Sequence, residues 1–186
     1  PFTLAKNLVG FGSDVDDLIT HFSRLQMILV LIMDHARLEN GIRLDRHGKP
    51  IVHYRFTQED IRAFIRGIRE SARIFFAAGA KRIHAPASAK FFLEAHECTQ
   101  IDKLINEKEF KLGKMSIASA HLMGGCRMGE NPSEAITDPW GRVYGKKDLY
   151  VADASLFPNS SGVNPYLTIM ALADRVAEAV TKDLGL

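Results

Sequence analysis

The stretch from Ser116 to Met170 carries a histidine near one end and an asparagine near the other, with glycines and one strand-terminal aspartate between them. His121 precedes Gly124-Gly125-Cys126. An imidazole changes charge near neutrality and can take a proton as a general base. Glycines at this density let the backbone approach a ligand closely. The same histidine reads equally as a structural ring bonded to backbone. A Cys126–His121 nucleophile pair is a further option, although nothing in the sequence supplies the third group that would orient it.

Further on, the apolar segment Leu149–Ala152 reads as a short strand with Asp153-Ala154-Ser155 at its end. In sheets covered by helices, ligands gather outside the carboxyl ends of strands, where an aspartate can accept a hydrogen bond from a cofactor hydroxyl or amide. The alternative is a turn cap, and the sequence does not choose. After the loop Phe157–Gly162, a helix opens with Asn164-Pro165, proline being favourable at a first helical position. The early half of that helix is apolar nearly all round, which predicts that it is buried. A buried helix start leaves N–H groups and about half a positive charge to be met by an electron-rich group, such as the pyrimidine edge of a flavin. Read locally, Asn164 can also be no more than the cap of that helix.

The elements that must position these residues are those of an ordinary globular chain. With 46% hydrophobic and 25% charged residues in 186, there is material for one sizeable core or two small lobes. A net charge of +2, with Lys and Arg scattered, argues against nucleic acid as a partner. The two cysteines make neither a disulfide framework nor a zinc motif, and His96 beside Cys98 lacks further ligands, so no metal is expected. The longest apolar run, Met27–Met33, falls far short of the roughly 20 residues of a membrane-spanning helix.

Residues 1–20, with Gly10 and Gly12 and three aspartates, read as a loop and a short helix. Leu25–Met33 reads as a strand buried on both faces. Asn40–Phe56 reads as a hairpin turning at Arg46–Lys49, with His53 on a solvent or neighbouring-strand face. Thr57–Gly79 is the clearest helix. Thr57 and Asp60 resemble a capping box, and Ile61, Phe64, Ile65, Ile68, Ala72, Phe75 and Phe76 form its apolar stripe. Arg62, Arg66, Arg69 and Glu70 form its solvated face. A strand over Lys81–His84 and two short helices over Ser88–His96 and Thr99–Glu109 follow, the second capped by Thr99 and Asp102. Gly113 opens the chemically interesting stretch.

Four blocks in order then carry a resemblance. They are His121-x-x-Gly124-Gly125-Cys126-x-Met128-Gly129; Asp138-x-x-Gly141-Arg142-Val143-x-Gly145; Leu149-Tyr150-Val151-x-Asp153-Ala154-Ser155; and Gly162-Val163-Asn164-Pro165-x-x-Thr168-Ile169-Met170-Ala171. Together they resemble the C-terminal signature of the glucose–methanol–choline (GMC) flavin oxidoreductases, with wording similar to the cholesterol oxidase and long-chain alcohol oxidase branches. The resemblance is strong over about residues 115–183 and looser before that.

It implies an α+β fold: residues 1–115 as part of a substrate-binding domain with an antiparallel sheet and helices, and residues 116–186 as the catalytic and FAD-contacting segment, ending in the last strand and helix of a Rossmann-like domain. It implies FAD as cofactor, His121 as the base and Asn164 as the partner bonding the substrate oxygen. Hydride would pass from a sterol, long-chain or sugar-type alcohol to flavin N5. Asp153, Ala154, Asn164, Pro165 and Tyr166 would contact the cofactor. The family's GxGxxG nucleotide fingerprint is not found, since Gly10-Phe11-Gly12 lacks the third glycine. The chain therefore reads as the C-terminal third or so of an enzyme, with the N-terminal FAD-binding half as its partner and self-association expected through apolar faces left uncovered. Rival readings are a redox-inactive binding or assembly domain and a small Cys126–His121 hydrolase.

Overall fold

The computed structural model describes residues 12–37, 39–111 and 114–186. Gly10 and Gly113 lie outside the described residues. The expected α+β class is the class observed: helices α1 (Ser13–Thr20), α2 (Gln58–Ala77), α3 (Ile101–Leu104) and α4 (Tyr166–Leu184), with strands β1 (Gly41–Leu44), β2 (Pro50–His53), β3 (Arg82–His84) and β4 (Phe92–Glu94). Strands β1–β2 and β3–β4 form two separate antiparallel pairs. The chain divides into two compact units, Pro1–Ile32 with Phe56–Ala118, and Met33–Arg55 with Ser119–Leu186.

The first unit is built on α2. Its start is closed reciprocally: the Asp60 N–H donates to Thr57 Oγ1 at 3.0 Å and the Thr57 N–H donates to Asp60 Oδ2 at 2.7 Å. The predicted stripe faces inward, with Ile65, Ile68 and Ala72 buried against Ile83, Leu93, Ile101 and Ile105. The helix stops before Gly79, whose φ of +88° few other residues adopt. Arg69 departs from the solvated face assigned to it, donating to the carbonyls of Ile105 (2.9 Å) and Asp102 (2.7 Å) and so capping α3 from outside.

Several sequence readings fail in this part of the chain. Leu25–Met33 is not a strand, because no ladder partner exists for it among the described residues. It lays Val30 onto α2 at Gly67, where an added Cβ would stand 2.3 Å from Val30 Cγ1, while Leu31 is 86% exposed. The run is thus covered on one side only. Ser88–His96 is not a helix either. Ser88 and Ala89 pair instead with Ile105 and Leu104. Phe92–Glu94 forms β4 opposite β3, in the register Arg82↔Glu94 and His84↔Phe92. The same pairing draws Ile105 out of the helix predicted for Thr99–Glu109, of which there remain the end of a 3-10 segment at Ala95–Gln100, then α3, and a 3-10 turn at Glu107–Glu109. The carboxylate of Asp102, expected to cap that helix, bonds Arg73 instead at 2.7 and 2.8 Å.

In the second unit the expected hairpin is present, in the register Ile42↔Val52 and Leu44↔Pro50, with Gly48 at φ +76° in its turn. The predicted strand Leu149–Ala152 shrinks to a bridge between Tyr150 and Arg142, flanked by the bonds Val143 N–H to Leu149 O and Val151 N–H to Gly141 O, both 2.9 Å. The turn before it is pressed onto α4: a Cβ at Gly141 would meet Val151 O and Val176 Cγ2, each at 2.6 Å. This close approach leaves too little regular backbone for a longer ladder.

The far end of α4 is fixed by Asp183. Arg142 donates to both its oxygens (2.6 and 2.8 Å) and the Tyr150 hydroxyl donates to Oδ2 at 2.6 Å. Arg175 lies over the Trp140 ring, 4.6 Å from its centre. Gly185, at φ +72°, closes the helix.

Candidate functional site

The residues following His121 run alongside the residues following Asp153. The N–H groups of Gly124, Cys126 and Met128 donate to the carbonyls of Ala154 (3.2 Å), Ser155 (3.0 Å) and Leu156 (2.9 Å). Alternate residues of one segment thus bond consecutive residues of the other. Gly124 takes φ +81°, and a Cβ there would stand 3.3 Å from Phe157 O. Leu156 and Phe157 are buried and anchor this edge in the second unit. Two of the sequence-predicted blocks, thirty or so residues apart in the chain, are therefore one structural feature.

Asp153 caps the 3-10 turn Ala154–Leu156. Its Oδ1 accepts from the Ser155 N–H (2.7 Å) and hydroxyl (2.5 Å). These two donors hold its carboxyl below the usual range, the hydroxyl contributing most. The turn-cap alternative therefore describes the geometry of Asp153, and a contact with a cofactor would come in addition.

His121 is exposed, and its ring makes no hydrogen bond among the described residues. A ring bonded to backbone, the competing reading of this histidine, is not what is found. Cys126 is engaged only through its backbone N–H, and no hydrogen bond joins its sulfur to His121 among the described residues. The nucleophile pair has no geometric support.

Asn164 lies outside this ladder. Its Oδ1 accepts from the Tyr166 N–H at 3.1 Å, a local turn onto the first residue of α4, whose N-cap is Pro165. Pro165 is buried and seats the start of the helix. The Asn164 amide nitrogen keeps two donors with no partner among the described residues. The burial predicted for the start of this helix is not met within this chain. Val163 is 71% exposed, Tyr166 70%, Leu167 78% and Met170 55%. None of the described residues of this unit buries them, and the fully buried residues of the helix are Val176 and Ala179.

The sequence offered no sign of the segment that packs on the loop before Asn164. Ala36 N–H donates to Asn159 Oδ1 at 2.9 Å, and Asn159 Nδ2 meets His35 Nδ1 at 3.3 Å. Met33 Sδ lies 3.1 Å from where a Cβ on Gly162 would stand, and Gly162 has φ +68°. Only the glycine at 162, which tolerates that φ, hinted at crowding there.

Comparison with known proteins adds the following. A family model described as GMC oxidoreductase matches residues 36–173. Paromamine 6'-oxidase of Streptomyces fradiae is 34% identical over 84% of this chain and 26% of its own length. A long-chain-alcohol oxidase of Arabidopsis thaliana is 34% identical over 82% of the chain and 21% of its own. Among solved structures, pyridoxine 4-oxidase from Mesorbium loti shares the fold with a TM-score of 0.54, at 22% identity, over 75% of this chain and 26% of that one. The chain spans about a quarter of the length of the curated relatives it matches.

Proposed function

The chain belongs to the GMC oxidoreductase family, and from that premise we propose that it forms the catalytic, flavin-facing part of an FAD-dependent enzyme that oxidises the CH–OH group of an alcohol. The observation that carries the reading is the backbone ladder joining Gly124–Met128 to Ala154–Leu156, because it gathers the His121 loop and the Asp153 turn on one edge. Paromamine and long-chain alcohols, the compounds in the relatives' names, make a primary or secondary alcohol the substrate class to test first.

The residues present suit a flavin. The N–H groups of Leu167 and Thr168, in the first turn of α4, have no acceptor within the helix and carry partial positive charge. Beside them stand the exposed apolar side chains of Val163, Tyr166, Leu167 and Met170. A flat apolar ring with an electron-rich carbonyl edge fits both features. Asp153, Ala154, Asn164, Pro165 and Tyr166 would hold it, the last two mainly through backbone. The chemistry that FAD supplies when bound is acceptance of the hydride from the alcohol carbon at N5.

The chain's own side chains do the rest. A ring nitrogen of His121 takes the hydroxyl proton as the carbonyl forms. The Asn164 amide donates to the alcohol oxygen and holds the developing negative charge next to the partly positive helix start. The N-terminal FAD-binding half is the partner that covers the start of α4. Without it, the exposed apolar surface promotes self-association.

The test is to purify the chain with the rest of its enzyme and reduce it anaerobically with alcohols. A yellow protein bleached by alcohol is expected. A protein that stays colourless in the presence of that half would overturn the reading and favour a redox-inactive binding domain.

A further inference from the structure

We propose that the segment Met33–Ala36 is a strap that sets the loop leading into Asn164, with His35 and Asn159 as its positioning residues. The proposal rests on the reading of Asn164 as the ligand of the substrate oxygen.

The loop from Pro158 to Val163 contains no helix or strand. It is held at its ends by buried Phe157 and buried Pro165. In between, its one internal side-chain bond runs from Ser161 Oγ to Val163 O at 2.6 Å. So few local bonds would leave Asn164 poorly placed, and catalysis is sensitive to displacements on the order of 1 Å. The strap supplies the missing constraint. Asn159 uses both ends of its amide on two consecutive residues, accepting from Ala36 N–H at 2.9 Å and donating to His35 Nδ1 at 3.3 Å.

The orientation of that amide is fixed by chemistry. A backbone N–H can only donate, so the Asn159 atom facing Ala36 is the oxygen and the atom facing His35 is the nitrogen. His35 Nδ1 must then be the unprotonated acceptor, with the ring proton on Nε2. Two residues before Asn164, Gly162 at φ +68° accepts Met33 Sδ within 3.1 Å of its absent Cβ.

The strap is fixed at its other end too. The Arg37 guanidinium donates to Arg55 O, and Asn40 Oδ1 accepts from Arg55 N–H at 2.9 Å, tying the strap to the base of the β1–β2 hairpin. The hairpin, strongly exposed and contributing little core of its own, thereby acquires a role in holding the strap.

Three variants of the intact enzyme carrying this chain test the proposal. Asn159→Leu removes both the acceptor for Ala36 and the donor to His35. His35→Leu removes the acceptor. His35→Asn restores an acceptor at the same distance from Cβ. Hydrogen exchange of the peptide 157–166 reads loop order without reference to catalysis. Asn159→Leu and His35→Leu should raise it, and lower the rate of flavin reduction by about tenfold with the alcohol KM little changed. His35→Asn should return both to the wild-type range.

Wild-type exchange in Asn159→Leu and His35→Leu would overturn the strap, as would losses in His35→Leu that His35→Asn does not restore. Asn164→Ala run alongside separates the two ideas. If that variant reduces at the wild-type rate, the role of Asn164 falls, while the exchange result still decides the strap.

Discussion

The helices α2 and α4 are nearly equal in length, 20 and 19 residues, and begin in opposite ways. At α2 the capping box pairs the N–H groups of Thr57 and Asp60 within the chain, and Asp60 itself is buried. Hydrophobic residues then pack inward through to Ala72. At α4 a single side chain, Asn164, bonds one N–H, and the apolar residues of the first turns stand in the open. The second half of α4, by contrast, is tied down: Arg142 and Tyr150 bond its Asp183, and its Arg175 lies over the Trp140 ring. A helix closed at its start serves its own core. One fixed at its end and open at its start offers that start to another group, and this contrast is what favours a flavin at α4.

The largest effect should come from the chemistry at the open end. In the intact enzyme, His121→Ala should slow flavin reduction roughly 100-fold or more, the scale of losing a general base, with FAD still bound. Stopped-flow reduction by alcohol measures it, and an unchanged rate would remove His121 from the mechanism.

Next comes a matched pair of truncations. Ile65→Ala on α2, at a buried position, should cost about 2–5 kcal/mol in denaturant unfolding. Leu167→Ala on α4, at an exposed one, should change the stability of the chain by less than about 0.5 kcal/mol yet weaken flavin retention in the intact enzyme. Equal stability costs would erase the contrast between the helices. A smaller matched pair concerns the side chains that bond the two helix starts. Thr57→Ala should cost about 1 kcal/mol of stability and leave flavin reduction alone, whereas Asn164→Ala should lower the reduction rate as well.

The tied end of α4 has its own signature in acid. The Arg142 guanidinium, and after it the Tyr150 hydroxyl, hold the Asp183 carboxyl down at about 2. A depressed folded pKa stabilises the fold above the ordinary carboxylate range, and the gain is lost as pH falls through the folded value. The contribution of Asp183 should therefore be complete above about pH 4 and fade toward pH 2. Thermal midpoints measured across that window should fall less steeply in Asp183→Asn than in the wild type, and parallel curves would show that the tie is not formed in solution.

The smallest change lies in the bridged segment between Met128 and Val143. Thr137 is fully buried there, and its hydroxyl has no partner among the described residues. Thr137→Val keeps the shape and removes the unpaired group, so stability should hold or rise by about 1 kcal/mol. A clear loss on chemical unfolding would reveal a partner for that hydroxyl, such as a bound water.

Where the decisive interactions span a turn or two, sequence alone determined the result. The box between Thr57 and Asp60, the stripe from Ile61 to Phe76, the stop at Gly79 and the turn at Gly48 each depend on residues close in the chain. So does the order of the blocks around His121, Asp153 and Asn164, and with it the family. Tertiary structure decided the rest. Ser88–His96 has the composition of a helix, but its backbone groups are taken by Leu104, Ile105 and β3, and pairing at a distance overrode local preference. Leu25–Met33 and the first turns of α4 are apolar enough to predict burial. Apolar character states that a surface needs cover, and cannot say whether the cover lies in the same 186 residues. Asn159 bonds Ala36 and His35 across 123 and 124 positions of sequence, a separation at which no periodicity or cap survives, and only the folded chain brings them together.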